Sequence, residues 1–272
     1  MTVAFQPKYK VQIGEVVIEH LDVKFSIERS LRKEPNTCDL LVWNLNDNNR
    51  ANIALADDLA VRIDAGHTDH IGTIFQAKVR KRHSTWVRPD WITTIEAGDG
   101  ERAMQQSRIN KSYAKGTKLE TVLKDVAESM GIGLGNLKKR LSEGVSLADI
   151  ADEFTNGITV SGNSYKELQQ LANSADMQVS IQNEVLQILR KGAALSDFSV
   201  KLNHNTGMIG SPAIGEKGVL EVRSLLNPDI VPGRQIELES VSANGRFVAY
   251  KCVYTGDLSS DEWYVDVEAI EL

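Results

Sequence analysis

Apolar and polar residues alternate with a period of two at both ends of this chain, and no other property narrows the fold as much. Leu21, Val23, Phe25 and Ile27 alternate with Asp22, Lys24, Ser26 and Glu28. Leu59, Val61, Ile63 and Ala65 form a second such row, and Ile71, Thr73, Phe75, Ala77 and Val79 a third. Successive side chains of a strand point to opposite faces, so each row predicts a strand with one buried face. Residues 38–43 and 91–97 read as denser apolar strands, with turn chemistry at 46–49 and 98–100. Towards the other end, residues 218–223, 235–238 and 246–254 read as strands, as does the row Trp263, Val265, Val267 and Ala269. Asn244-Gly245 is a hairpin-turn signal. Several strands at this spacing predict a sandwich or a barrel.

Between them the period becomes helical. Leu119, Val122, Leu123, Val126, Ala127 and Met130 make one apolar stripe, closed by Gly131. Thr117 and Glu120 stand before it at capping-box separation, and Ser164 and Glu167 repeat that pattern before Leu168, Leu171, Ala172 and Ala175. Residues 146–149 start a shorter predicted helix with Ile150, Ala151 and Phe154. Residues 178–181 and 185–189 flank Asn183-Glu184 as a hairpin. The fold class is therefore mainly β with an α+β insert. Residues 1–110 form one β domain, 111–194 the α+β domain, and 195–272 a second β domain.

Strong catalytic patterns are missing. No G-x-S-x-G elbow and no H-E-x-x-H is present, and the pairs Asp57-Asp58 and Asp261-Glu262 read as turn residues. His67-Thr68-Asp69-His70 offers two imidazoles and a carboxylate, but in a loop and without a second ligand cluster. Residues 131–135 hold three glycines after a helix rather than after a strand, the wrong context for a phosphate loop. The basic run at 78–83 reads as a solvated strand face. Cys38 and Cys252 sit inside strands and read as buried thiols. No catalytic, cofactor or metal residue is assigned, and the chain is expected not to be an enzyme. The net charge is −6, and residues 195–272, with 6 basic and 12 acidic side chains, carry the excess. Such a chain is poorly suited to tight duplex binding. It has no run of 18 apolar residues, so folding in a cytoplasm without stable membrane insertion is expected.

Two sets of short motifs, in order, carry a family resemblance. The first runs from Glu28-Arg29-Ser30 through Asn36-Thr37-Cys38-Asp39-Leu40-Leu41-Val42-Trp43-Asn44-Leu45-Asn46, then Val61 to His67 with its Ala65-Gly66, then Gly72-Thr73-Ile74-Phe75. The second runs through Gly207 to Pro212, then Leu225-Leu226-Asn227-Pro228-Asp229-Ile230-Val231-Pro232-Gly233, then Gly256-Asp257 before Trp263. In these the chain resembles the baseplate hub proteins of contractile-tailed bacteriophages and related injection systems. The resemblance implies two tail-tube-like β-barrel domains flanking a small α+β domain. It implies a homotrimer that sets six barrels in a ring, between a hexameric tail tube protein and a three-fold central spike protein. Tape-measure and baseplate wedge proteins are further implied neighbours. DNA would pass only transiently through the lumen, and the protein would reside in the virion tail baseplate after assembly in the host cytoplasm.

Alternatives stay open. A tail tube or tube-initiator protein belongs to the same class. Residues 115–119, Gly131-Ile132 and Leu137 are similar to the peptidoglycan-binding LysM module, and a cell-wall hydrolase is a further reading. Pro228 and Pro232 each fix φ and lack an N–H donor, and Gly233 allows a bend. That stretch is either a plain connecting loop or a rigid corner that docks on an adjacent subunit.

Overall fold

The computed structural model describes residues 6–68, 70–136, 156–196, 198–215 and 218–272. The chain forms two compact units. One comprises Met1–Ser30, Asn36–Asp99 and Gly192–Leu272; the other comprises Leu31–Pro35 and Gly100–Lys191. The predicted short helix at 146–154 and Leu137 of the LysM-like stretch lie outside the described residues, as does Asp69.

In chain order the first unit opens with β1 (Pro7–Ile13), β2 (Val16–Ile18), β3 (Val23–Ser30), β4 (Thr37–Trp43) and helix α1 (Asp47–Leu55). It continues with β5 (Ala60–His67), β6 (His70–Val87) and β7 (Asp90–Gly98). The second unit holds α2 (Glu101–Gln106), β8 (Arg108–Tyr113), α3 (Leu119–Ser129), β9 (Ile158–Asn163), α4 (Ser164–Ser174), β10 (Met177–Gln182) and β11 (Val185–Arg190). The chain then returns to the first unit with β12 (Ser199–Leu202), β13 (Met208–Ile214), β14 (Leu220–Leu225), β15 (Gln235–Glu239), β16 (Asn244–Asp257) and β17 (Trp263–Glu271).

Among the described residues, thirteen strands share one sheet in the order β13-β14-β17-β16-β3-β4-β7-β6-β5-β1-β2, with β15 paired to β16 and β12 parallel to β15. The two β segments at opposite ends of the chain thus meet in a single sheet, through β3 against β16. The pairing path is open, and no closed barrel forms within the described chain. Strand β16 changes partner along its length. Residues 244–248 pair with β15 and residues 251–257 with β3, with a register shift between Ala249 and Lys251.

Most of the alternating rows bury as their period demands. Val23, Phe25 and Ile27 are inside, as are Leu59, Val61, Ile63 and Ala65, and Trp263, Val265, Val267 and Ala269. The row from Ile71 to Val79 breaks. A bulge places both Ile74 and Phe75 in the core, so Phe75, Ala77 and Val79 face inward while Ile71 is exposed. One extra residue inverts the phase of a two-residue repeat. Phe25, Phe75 and Tyr254 are fully buried, and each contributes about 3 kcal/mol of transfer free energy.

Four local expectations fail for identifiable reasons. Asn46 does not begin a turn but caps α1, its side chain accepting the Asn49 N–H at 2.8 Å. Asn244-Gly245 lies inside β16, and the turn is residues 240–243, closed by Ser240 N–H to the Asn244 side chain at 2.9 Å. Thr117 does not cap α3; its hydroxyl donates back to Ala114 O at 2.8 Å, and Lys118 occupies the cap position. Asn163, rather than Ser164, caps α4, accepting the Lys166 N–H at 3.0 Å.

Within the second unit, α3 buries Leu119, Val122, Leu123, Val126 and Ala127, and α4 buries Leu168, Leu171 and Ala172. Strands β10 and β11 form the expected hairpin, with Asn183 and Glu184 both at positive φ. Two positive-φ residues in a two-residue loop match the twist of the flanking strands. Strands β8 and β9 pair antiparallel across α3, an unexpected addition.

Candidate assembly site

The motif residues from the two ends of the chain converge on one place in the sheet unit. Trp263 stands edge-on to Phe25, with centroids 5.3 Å apart and planes at 70°. Its indole N–H donates to Gly66 O at 2.8 Å. A Cβ on Gly256 would lie 2.3 Å from the Phe25 ring and 2.8 Å from the Trp263 ring, so only glycine fits. Gly66 is equally constrained, since a Cβ there would lie 2.1 Å from His70 O. Beside it, Gly72 lies against Pro228 and the His70 ring meets Asp229 at 2.9 Å.

The proline stretch belongs to this junction. Pro228, Pro232 and Gly233 are buried, with Leu226 and Ile230 in the core. Tyr254 Oη donates to Ile230 O at 2.5 Å, Gly233 N–H to Ala249 O at 2.8 Å, and Leu195 N–H to Gly233 O at 2.8 Å. Arg234 Nε reaches Asp229 O at 3.2 Å. Both prolines are therefore turned into their own unit, which favours the connecting-loop reading over a corner whose prolines dock on an adjacent subunit. Prolines suit a buried path because they bring no N–H that must find a partner there. Arg29, 3% exposed, donates to Ile74 O at 2.7 Å and so satisfies the carbonyl of the bulge.

Asp257 closes the junction. Its carboxylate accepts the Ser259 hydroxyl at 2.6 Å and the Lys24 ammonium at 3.0 Å. These contacts, the Ser259 hydroxyl foremost, hold it below the ordinary aspartate range. A depressed carboxyl stabilises the fold above its unfolded value, near pH 4, and that contribution is lost as pH falls through the folded value. Asp257→Asn is therefore expected to flatten the acid side of the stability–pH curve in urea titrations from about pH 5 down to about pH 2. An unchanged slope would remove Asp257 from the acid limb.

Other candidate residues take structural roles. Cys38 and Cys252 are buried free thiols; burial pushes Cys252 up to about 12 and raises Cys38 as well. The basic run is largely consumed by the sheet unit. Lys78 pairs with Asp58 at 2.7 Å and Lys81 with Glu96 at 3.0 Å, while Arg82 donates to Ala54 O and Ala56 O. His67 and His70 face each other across the β5–β6 hairpin. Among the described residues no group of three or more His, Cys, Asp or Glu is placed to hold a metal. Gly131 ends α3 at φ 68°. No described helix is long and apolar enough to cross a membrane.

The solvent side of β14, β16 and β17 is rich in paired charge. Arg223 holds Asp266 through two bonds of 2.6 and 2.9 Å and lies 4.0 Å over the Tyr264 ring. Lys251 meets Glu28 at 3.0 Å and Glu268 at 3.9 Å.

The sequence profile of the family described as baseplate hub gp41 matches residues 1–269. The chain belongs to this family. The order of its motifs had implied the same family. Solved structures of similar fold agree. The 43 kDa tail protein of prophage MuSo2 from Shewanella oneidensis superposes with TM-score 0.66 at 11% identity, over 98% of this chain and 97% of that one. The tail protein from Neisseria meningitidis MC58 gives 0.64 at 8% identity, over 97% and 96%. The E. coli c3393 protein, a type VI secretion component described as similar to T4 tail proteins gp27 and gp5, gives 0.59 at 12% identity, over 97% and 77%. At these identities the likeness is one of fold. No curated protein matches the chain by sequence. Within the hub fold, the converging glycines and Arg29 were legible as motif letters, but the bond from Arg29 to the bulge carbonyl of Ile74 was not.

Proposed function

We propose that this hub protein acts as a structural adaptor without catalysis, three copies forming a ring at the distal end of a tail. The family match over residues 1–269 carries this reading. Each copy supplies two tube-like β domains, from 1–110 and 195–272, with 111–194 as the insert. Their open edges close against neighbouring copies, as exposed strand edges require. The six domains meet the hexameric tail tube protein on one side and a three-fold spike protein on the other. Wedge and tape-measure proteins abut the ring, within a virion baseplate assembled in the host cytoplasm. The acidic excess of residues 195–272, where it faces the lumen, repels passing DNA.

Native mass spectrometry over a concentration series tests the adaptor. A species near three times 30.0 kDa is expected. A hexamer would favour a tube component, and a monomer at every concentration would count against a self-assembling ring.

A second reading has one observation in its favour. The antiparallel pairing of β8 and β9 around α3 supplies the flanking strands that a LysM-like peptidoglycan-binding module needs. Co-sedimentation with peptidoglycan sacculi tests it; no retention above an unrelated acidic protein sinks it.

A further inference from the structure

The end of the β6–β7 hairpin carries an aromatic cluster that the core does not absorb. Along β7 the buried positions Ile95 and Thr93 continue outward to Trp91, which pairs across the hairpin with Trp86. The two indoles stack with centroids 6.4 Å apart and planes at 22°. Arg50 lies 4.3 Å over Trp91 and Arg88 lies 5.5 Å over Trp86. Trp86 and Val87 are each 54% exposed, and Trp91 is 37% exposed. Two rings and two guanidiniums hold this tip in shape before anything binds it. Preorganised tryptophan and arginine are the residues that dominate interfaces once buried. An exposed apolar cluster of this kind marks a docking element.

The same unit carries a receptor of complementary character. Strand β13 leaves register with β14 between Ile209 and Ala213, and a groove of about 670 Å³ lies there, lined by residues of β13, β14, β16 and β17. Ile209, Ala213 and Val253 give it apolar surface, and Glu221, Asp266 and Glu268 line it against only two cations, Arg223 and Lys251. Those cations are already committed, Arg223 to Asp266 and Lys251 to Glu28. The volume falls in the range that encloses a large aromatic group. The tip brings exposed Arg88 beside its apolar surface, opposite in sign to the acidic excess of the groove.

Five strands separate β14 from β6 in the sheet. At 4.8 Å per step the two strands are about 29 Å apart along the sheet. Tip and groove are different patches, so a contact between copies is head-to-tail, the kind that generates rings when the rotation closes.

We propose that the hairpin tip, residues 86–88, of one copy seats in the β13–β16 groove of the next, with Trp86 and Val87 on its apolar side and Arg88 towards Glu221. The proposal rests on the reading that copies of this chain assemble into a ring, and it names the contact that would hold them.

Two single variants, Arg88→Cys and Glu221→Cys, test it. Both positions are exposed, and the native thiols Cys38 and Cys252 are buried and held protonated. The variants are mixed, treated with a short bismaleimide, and followed by denaturing gels, with native mass spectrometry on the same samples. A covalent dimer in the mixture, absent from either variant alone, is expected. Trp86→Ala added to the Arg88→Cys chain is expected to reduce that dimer at least ten-fold. A trimer without the mixed dimer would overturn this contact and leave the ring reading standing. Cross-linking of Arg88→Cys to itself would mean a tip-to-tip contact and would also overturn it. A monomer with no mixed dimer would remove both the contact and the ring.

Discussion

Trp263→Ala is expected to lower the unfolding free energy of the sheet unit by about 4 kcal/mol. Trp263 is 5% exposed, and three things are lost with its ring. The cavity left beside Phe25 removes dispersion contacts and transfer free energy together. The edge-on contact at 5.3 Å disappears. Gly66 O then loses its indole donor in a buried site. The damage also falls on the connection between the β strands of the two chain ends, because Trp263 lies on β17 and Gly66 on β5. Trp263→Phe keeps most of the volume and loses the N–H, so a smaller loss of about 1–2 kcal/mol is expected. Urea denaturation followed by tryptophan emission provides the measurement. The remaining tryptophans, Trp43, Trp86 and Trp91, all lie in this unit, so the signal follows its unfolding. A loss below about 1 kcal/mol for Trp263→Ala would show that the junction is not where the sheet is held together.

Gly256→Ala is expected to cost about 3 kcal/mol, at the upper end of what overpacking does. The added methyl meets two aromatic rings that already touch each other, at 2.3 Å and 2.8 Å. Neither ring is the free end of a flexible chain, and both are buried. Relief therefore requires β16 to move away from β3 along a seven-residue ladder. Phe25→Leu makes room at the same spot. It is expected to destabilise alone yet to recover part of the loss in the double variant, giving a favourable coupling between neighbouring sites. Additive losses in the double-mutant cycle would locate the strain elsewhere.

How much of this was visible in the amino-acid order depends on the range of the forces involved. The strands were legible because burial of one face imposes a period of two on residues close in sequence. Helix α3 was legible through its stripe. Helix α1 was not, because Ile53 is its only buried residue and Asn46 serves equally well in a turn. The caps of α3 and α4 lay one residue away from their apparent signals, since Thr117 spends its hydroxyl on Ala114 O and Asn163 competes with Ser164. The bulge at Ile74 leaves no mark in a run of alternating residues, and its satisfaction by Arg29 depends on a strand 45 positions away. Strands β8 and β9 escaped notice because only Ile109 and Val160 are buried in them. At the junction, the need for Gly66 and Gly256 is set by atoms of His70, Phe25 and Trp263, so a motif could record those glycines without explaining them. Closure of barrels, implied by the resemblance, is a property of strand pairing that no single segment encodes.

The partner exchange along β16 sets a timetable for synthesis. Strand β3 ends at Ser30, and the segment that completes its ladder begins at Lys251. At the usual pace of translation, roughly ten to forty seconds separate their appearance from the ribosome. Throughout that interval one edge of β3 lacks its final neighbour, and a chain terminated early never acquires it. The sheet of this unit is therefore completed only once β16 has been made, and until then β3 stands as an exposed edge.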